Sequence, residues 1–151
     1  MVSDVVCLSI LCIYVENRLN RLSRLGIYLF TLMQWISTIG YTMFPLTAAG
    51  NPDSLQDTIH IFVITPIVIL LSIVSLVLIF IGGLRPNGMR SLGTWALAAL
   101  ILMFVGAIGV GIVPAEFFGI PERFSVFAAT IFTAVLGFYM YLGLPNEFEF
   151  R

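Results

Sequence analysis

The chain has 151 residues, 60% of them hydrophobic and 10% charged, with a mean hydropathy of +1.06 and a net charge of -1. Soluble domains carry about a quarter charged residues, so these proportions exclude one. Seven arginines, no lysine and eight acids leave no basic patch able to follow a nucleic-acid backbone, so nucleic acid is excluded as a partner class and a membrane-embedded helical protein remains.

The first apolar segment, about 4–16, is short for an independent crossing. It fits a fifth packed helix or a tilted, interfacial element. Asp4 stands ahead of it where a signal peptide would be basic, so no cleaved leader is expected. Cys7 and Cys12 are five residues apart, off a common helical face, and no CxxC or Cys/His spacing occurs. Glu16, Asn17, Arg18, Arg21 and Arg24 follow as a basic amphipathic stretch suited to headgroups.

Four long apolar runs come next, at about 26–47, 59–81, 92–114 and 124–144, each long enough for roughly 30 Å of hydrocarbon. Barrel strands would be about 10 residues long and alternate in polarity. The expected fold is therefore an all-α integral membrane protein, one domain over 1–151, with a bundle of four long transmembrane helices plus a short N-terminal fifth helix.

Within the first long run, Trp35 is expected to pack against another helix, and Pro45 to end the run. Pro66 is expected to kink the second, with Thr65 or Ser72 answering the gap in its hydrogen-bond ladder. Gly82-Gly83 and Pro86-Asn87-Gly88 read as turn material. Close helix seams, within the chain or between copies, are expected at Ala107/Gly111, Ala129/Thr133, Thr130/Ala134 and Thr133/Gly137, and at Gly106, Gly109 and Gly111. Pro114 is expected to end the third run.

Arg18, Arg21, Arg24, Arg85, Arg90 and Arg151 fall on one side of the expected spans. Asp53, Asp57, Glu116 and Glu122 face the other, with Arg123 alone among them. The positive-inside rule makes the first side, with the C-terminus, cytoplasmic in a plasma or inner membrane. Trp95, Tyr139 and Tyr141 suit the inner interface.

The polar residues that could carry chemistry collect outside. Asp53, Asp57 and His60, spaced four and three apart, would share a helical face, and Glu122 with Arg123 occupies the other outer loop. A histidine among carboxylates can relay protons or act as a base, and the same residues can equally solvate a loop or cap a helix near Ser54. No HExxH, three-ligand zinc pattern, Walker loop, nucleophile elbow or dinucleotide fingerprint is present, so no metal or cofactor is expected.

Phe44-Pro45-Leu46-Thr47, Asp53, His60 opening an apolar helix, and Pro121-Glu122-Arg123 opening the last one together resemble the membrane family catalogued as domain of unknown function 998. The motifs cover about Gly26 to Leu144. The resemblance implies a multi-helix membrane protein with its usual N-terminal spans shortened or absent, and it implies no activity. The expected role is structural, sensory or partner-binding rather than enzymatic. Its partners would be the bilayer, a lipid or small-molecule ligand at the outer face, and a membrane-protein partner or second copy. The competing expectation is a transporter or lipid-modifying enzyme using the outer cluster.

Overall fold

The computed structural model describes residues 2–16, 18–46, 54–86, 88–112 and 119–143, with backbone alone at 2, 110, 111, 119, 121 and 122. Among these residues there are five helices: α1 (Val2–Tyr14), α2 (Arg21–Met43), α3 (Leu55–Gly83), α4 (Arg90–Ile112) and α5 (Gly119–Leu142).

Local chemistry sets the boundaries. Asn20 caps α2, its Oδ1 accepting the Ser23 N–H at 2.9 Å, which starts that helix well before the apolar run begins at Gly26. Pro45 ends it by disfavouring helical backbone at Phe44. Ser54 caps α3, its Oγ accepting the Asp57 N–H at 3.1 Å, so the helix starts at Leu55 rather than near Ile59. Gly143, with φ of +79°, closes α5 in the left-handed region. Thr47, Pro114 and Leu144, expected at helix ends, lie outside the described residues.

Pro66 leaves its mark just upstream. His60–Ile64 winds as a π-helix, and the Thr65 N–H closes the wide turn onto the His60 carbonyl. Thr65 Oγ1 donates to the same oxygen at 2.8 Å, while Ser72 bonds Val68 instead, at 2.7 Å. Proline removes one ladder donor and crowds the preceding turn, and a π-turn relieves that crowding.

The expectation of four long spans plus a short fifth helix is corrected here. Among the described residues three helices are long and apolar enough to cross a membrane: Leu55–Gly83, Arg90–Gly109 and Arg123–Leu142. α1 is too short. α2 has the length, at 23 residues, but not the apolarity, because Thr31, Gln34, Ser37, Thr38, Tyr41 and Thr42 interrupt it. It lies alongside α3 and contributes Ile27, Phe30 and Met33 to the core.

Antiparallel pairing fixes the ends. Asn20 Nδ2 donates to the Gly82 carbonyl at 2.7 Å, and the Ser91 and Tyr139 hydroxyls are hydrogen-bonded. These contacts put the start of α2, the end of α3, the start of α4 and the end of α5 together, with Arg18, Arg21, Arg24, Arg85 and Arg90 at what can be called the arginine end. The far end holds His60 beside Phe44, and Gln56 Nε2 on the Pro45 carbonyl at 2.7 Å.

The core sits toward the arginine end, where Phe30 and Phe132 meet edge to face at 5.1 Å among Ile27, Leu76, Ile79, Leu92 and Leu136. Lipid tails are as apolar as leucine, so close packing and hydrogen bonds hold membrane helices together. The closest approaches are at glycines the sequence reading did not pick. A Cβ on Gly26 would fall 2.6 Å from Ile79 Cγ1, one on Gly82 would fall 2.3 Å from Ser23 Oγ, and Gly83 abuts Gly93. Gly82 and Gly83, expected as turn material, form the last turn of α3. Nothing lies within 4 Å of a Cβ on Gly137, and Ala107, Thr130 and Ala134 are exposed, so no close seam forms at those four positions within the chain, whereas Gly106 is buried and Thr133 meets Gln34 of α2. Gly111 falls on the backbone-only residues. Trp35 reaches α1 through its Nε1, 3.1 Å from Ser9 Oγ, while the ring stays 39% exposed.

Candidate functional site: an apolar cavity with a hydroxyl-lined side

Of the five polar residues expected at the outer face, Asp57, His60 and Arg123 have described side chains. Asp57 is fully buried, and Ser54 Oγ donates to its Oδ2 at 2.8 Å, so it belongs to the start of α3. His60 is half-buried, with Nδ1 2.6 Å from the Phe44 carbonyl rather than on Asp57, and its ring stacks on Tyr41 at 4.7 Å between centroids. A carbonyl only accepts, so Nδ1 carries the proton and Nε2 of the neutral ring is the acceptor. Arg123 is exposed in the first turns of α5. Asp53 and Glu116 lie outside the described residues, as does the side chain of Glu122. Among the described residues no group of three His, Cys, Asp or Glu could hold a metal ion.

The concave feature is elsewhere. A partly open cavity of about 780 Å³ lies among all five helices, on the far side of the core from the arginine end. Its deep part is apolar, with Leu8, Leu11, Met33, Ile73, Met103 and Met140. Methionine side chains are flexible and polarizable, and they adapt to irregular shapes.

One side is polar. Gln34, Ser37, Thr38 and Tyr41 run up α2 at spacings of three, one and three, the repeat of a single helical face, and Ser125, Thr130 and Thr133 oppose them from α5. Gln34 Nε2 donates to Thr133 Oγ1 at 2.8 Å, joining the two helices. Thr130 and Thr133 back-bond to Val126 and Ala129 at 2.9 Å, as hydroxyls in apolar helices commonly do. Ser37, Thr38 and Ser125 make no side-chain hydrogen bond to any of the described residues.

Register grades the cavity from end to end. Gln34 is level with Thr133, and Gly40 abuts Ile64. Tyr41, Thr65 and Ser125 therefore sit toward the far end, with the methionines deeper. Tyr41 links the two descriptions, since it lines the cavity and carries the His60 ring on its face. The α2 stripe was readable in principle as a helical polar repeat inside an apolar run; the Ser125 side required knowing which helix faces it.

No curated protein and no solved structure matches the chain. The family model described as "Protein of unknown function (DUF998)" matches residues 3–139, so the match takes in α1, ahead of Gly26 where the motif resemblance begins. With every helix inside that stretch except the first residue of α1 and the last turn of α5, this small, all-helical, multi-pass membrane protein belongs to the DUF998 family.

Proposed function

We propose that the protein binds a membrane amphiphile in the inter-helical cavity, head toward Tyr41 and Ser125 and tail among the methionines. The observation that carries this reading is the grading of the cavity. Its volume falls within the range of small-molecule sites, roughly 300–1,000 Å³, and apolar walls with a few placed polar groups are what such sites present. The Ser37, Thr38 and Ser125 hydroxyls are accessible from the cavity, where a ligand head can hydrogen-bond with them. His60 acts on this site as a positioning residue, holding the Tyr41 ring while its own Nδ1 is tied to Phe44.

A fatty alcohol bearing a photoreactive benzophenone on its chain tests the reading in lipid nanodiscs. Crosslinks are expected on α2 and α5, and Ala129→Phe, which fills the cavity from α5, is expected to lower labelling at least tenfold with the melting temperature retained. Labelling that ignores Ala129→Phe would overturn the reading.

The arginine end faces the cytoplasm in this proposal, which puts the end of α5 inside. The separation of Arg18, Arg21, Arg24, Arg85 and Arg90 from Arg123 supports it. With Cys7 and Cys12 replaced by serine, a cysteine introduced at exposed Ser91 is expected to react with an impermeant maleimide only in inside-out vesicles. Reaction in right-side-out vesicles would reverse the orientation.

A further inference from the structure

The end of the bundle opposite the cavity carries a charge pattern that the packing of the helices does not use. α2 opens on Arg21 and α4 on Arg90, and neither helix has an acid in its first turn. The N-terminus is the positive end of the helix dipole, so an arginine there works against the helix that carries it. The positive-inside rule accounts for the side of the membrane, but it counts lysine and arginine alike, and this chain has no lysine.

One carbonyl gathers three of the arginines. The Gly82 oxygen accepts from Asn20 Nδ2 at 2.7 Å and from the Arg85 N–H at 3.3 Å, which sets Arg85 beside the residue that precedes Arg21. The Arg85 carbonyl accepts the Gly88 N–H at 2.8 Å, and Gly88 packs on the same Gly82 oxygen too closely to admit a Cβ, with Arg90 following two residues on. The Arg21, Arg85 and Arg90 side chains are exposed and make no hydrogen bond, ion pair or ring contact with any of the described residues. Arg18 and Arg24 differ, the first lying over the Tyr14 ring at 4.4 Å and the second donating through Nη1 to the Glu16 carbonyl.

We infer that Arg21, Arg85 and Arg90 together seat the phosphate of an anionic phospholipid at this end of the bundle. A guanidinium pairs bidentately with phosphate oxygens, which an ammonium cannot do, and clustered basic side chains at a membrane surface draw anionic headgroups. Leu25, Leu84 and Trp95 are exposed close to the three arginines along the chain, so the acyl chains have apolar surface to lie against, which a free phosphate would not use. This seat is separate from the cavity and does not depend on what the cavity binds.

Trp95 stands just over a turn into α4 from Arg90 and reports on the lipid there. In a Trp35→Phe background in phosphatidylcholine vesicles, quenching by phosphatidic acid brominated on its acyl chains measures its binding relative to brominated phosphatidylcholine. Phosphatidic acid is expected to bind about tenfold more tightly. Each of Arg21→Gln, Arg85→Gln and Arg90→Gln is expected to lower that preference about two- to threefold, and the triple glutamine variant to bring it near parity. The triple lysine variant keeps every charge and is expected to retain less than half of the preference. Arg123→Gln, at the far end, is expected to leave it unchanged, as is millimolar inorganic phosphate at matched ionic strength. Equal binding of the two lipids, or a preference that survives the triple glutamine variant, would overturn the inference. So would full retention by the triple lysine variant or loss in Arg123→Gln, either of which would mean diffuse attraction, and so would displacement by inorganic phosphate, which would assign the arginines to a soluble ion.

Discussion

Gly26→Ala is expected to destabilise the protein by about 1–3 kcal/mol, the range for overpacking a close-packed site, whereas Gly137→Ala is expected to be neutral or slightly stabilising. The added Cβ at position 26 would stand 2.6 Å from Ile79 Cγ1 and 2.8 Å from the Ser75 carbonyl oxygen. The isoleucine can shift, but the carbonyl belongs to the α3 backbone. Relief therefore requires α2 and α3 to separate where Ile27, Phe30 and Leu76 pack. At position 137 nothing lies within 4 Å, and alanine is the better helix former by about 1 kcal/mol. Thermal melts of both variants in one detergent give the comparison. Equal melting temperatures would mean that the α2–α3 contact at Gly26 is looser than the structure has it.

Asn20→Ala is expected to cost about 2 kcal/mol, with Asn20→Asp recovering roughly half. One side chain does two jobs at the arginine end. Its Oδ1 caps α2 through the Ser23 N–H, and its Nδ2 ties the Gly82 carbonyl at the end of α3. Alanine loses both, a cap worth about 1 kcal/mol and a hydrogen bond worth a similar amount. Aspartate keeps an acceptor for the cap and has no donor for Gly82. Chemical denaturation in mixed micelles measures the two differences. Equal losses for Asp and Ala would assign the whole effect to the Gly82 tie, and no loss for either would show that the clamp contributes nothing.

The helices were legible from their apolar runs because burial in lipid selects apolar side chains almost irrespective of neighbours. Their starts were less so, since Asn20 and Ser54 extend α2 and α3 beyond the apolar residues. α2 defeated the reading for a physical reason. A helix whose polar face is sheltered by other helices need not be apolar throughout, and the Gln34, Ser37, Thr38 and Tyr41 stripe lies inside a run otherwise apolar enough to resemble a span. Small-residue spacing misled in the opposite direction. Thr133 and Gly137 have the right separation on one helix, yet close approach depends on what faces them, and the glycines that matter are paired across helices, Gly26 with Ile79 and Gly83 with Gly93. Among the outer polar residues, the Ser54 hydroxyl on Asp57 and the Phe44 carbonyl on His60 have no conspicuous sequence signature, so these contacts were not legible in advance.

A bundle filled at one end and hollow at the other does not open uniformly. Amides of α2 and α3 around Ile27, Phe30 and Ile79 are held by the core and exchange their hydrogens only when much of the bundle comes apart, whereas those around Tyr41 and Ser125 border the cavity and are released by smaller, local openings. A molecule seated in the cavity adds its binding free energy to the part that opens first. Slowed exchange confined to the outer turns of α2 and α5 would then report occupancy directly, in a protein whose ligand need not be known beforehand.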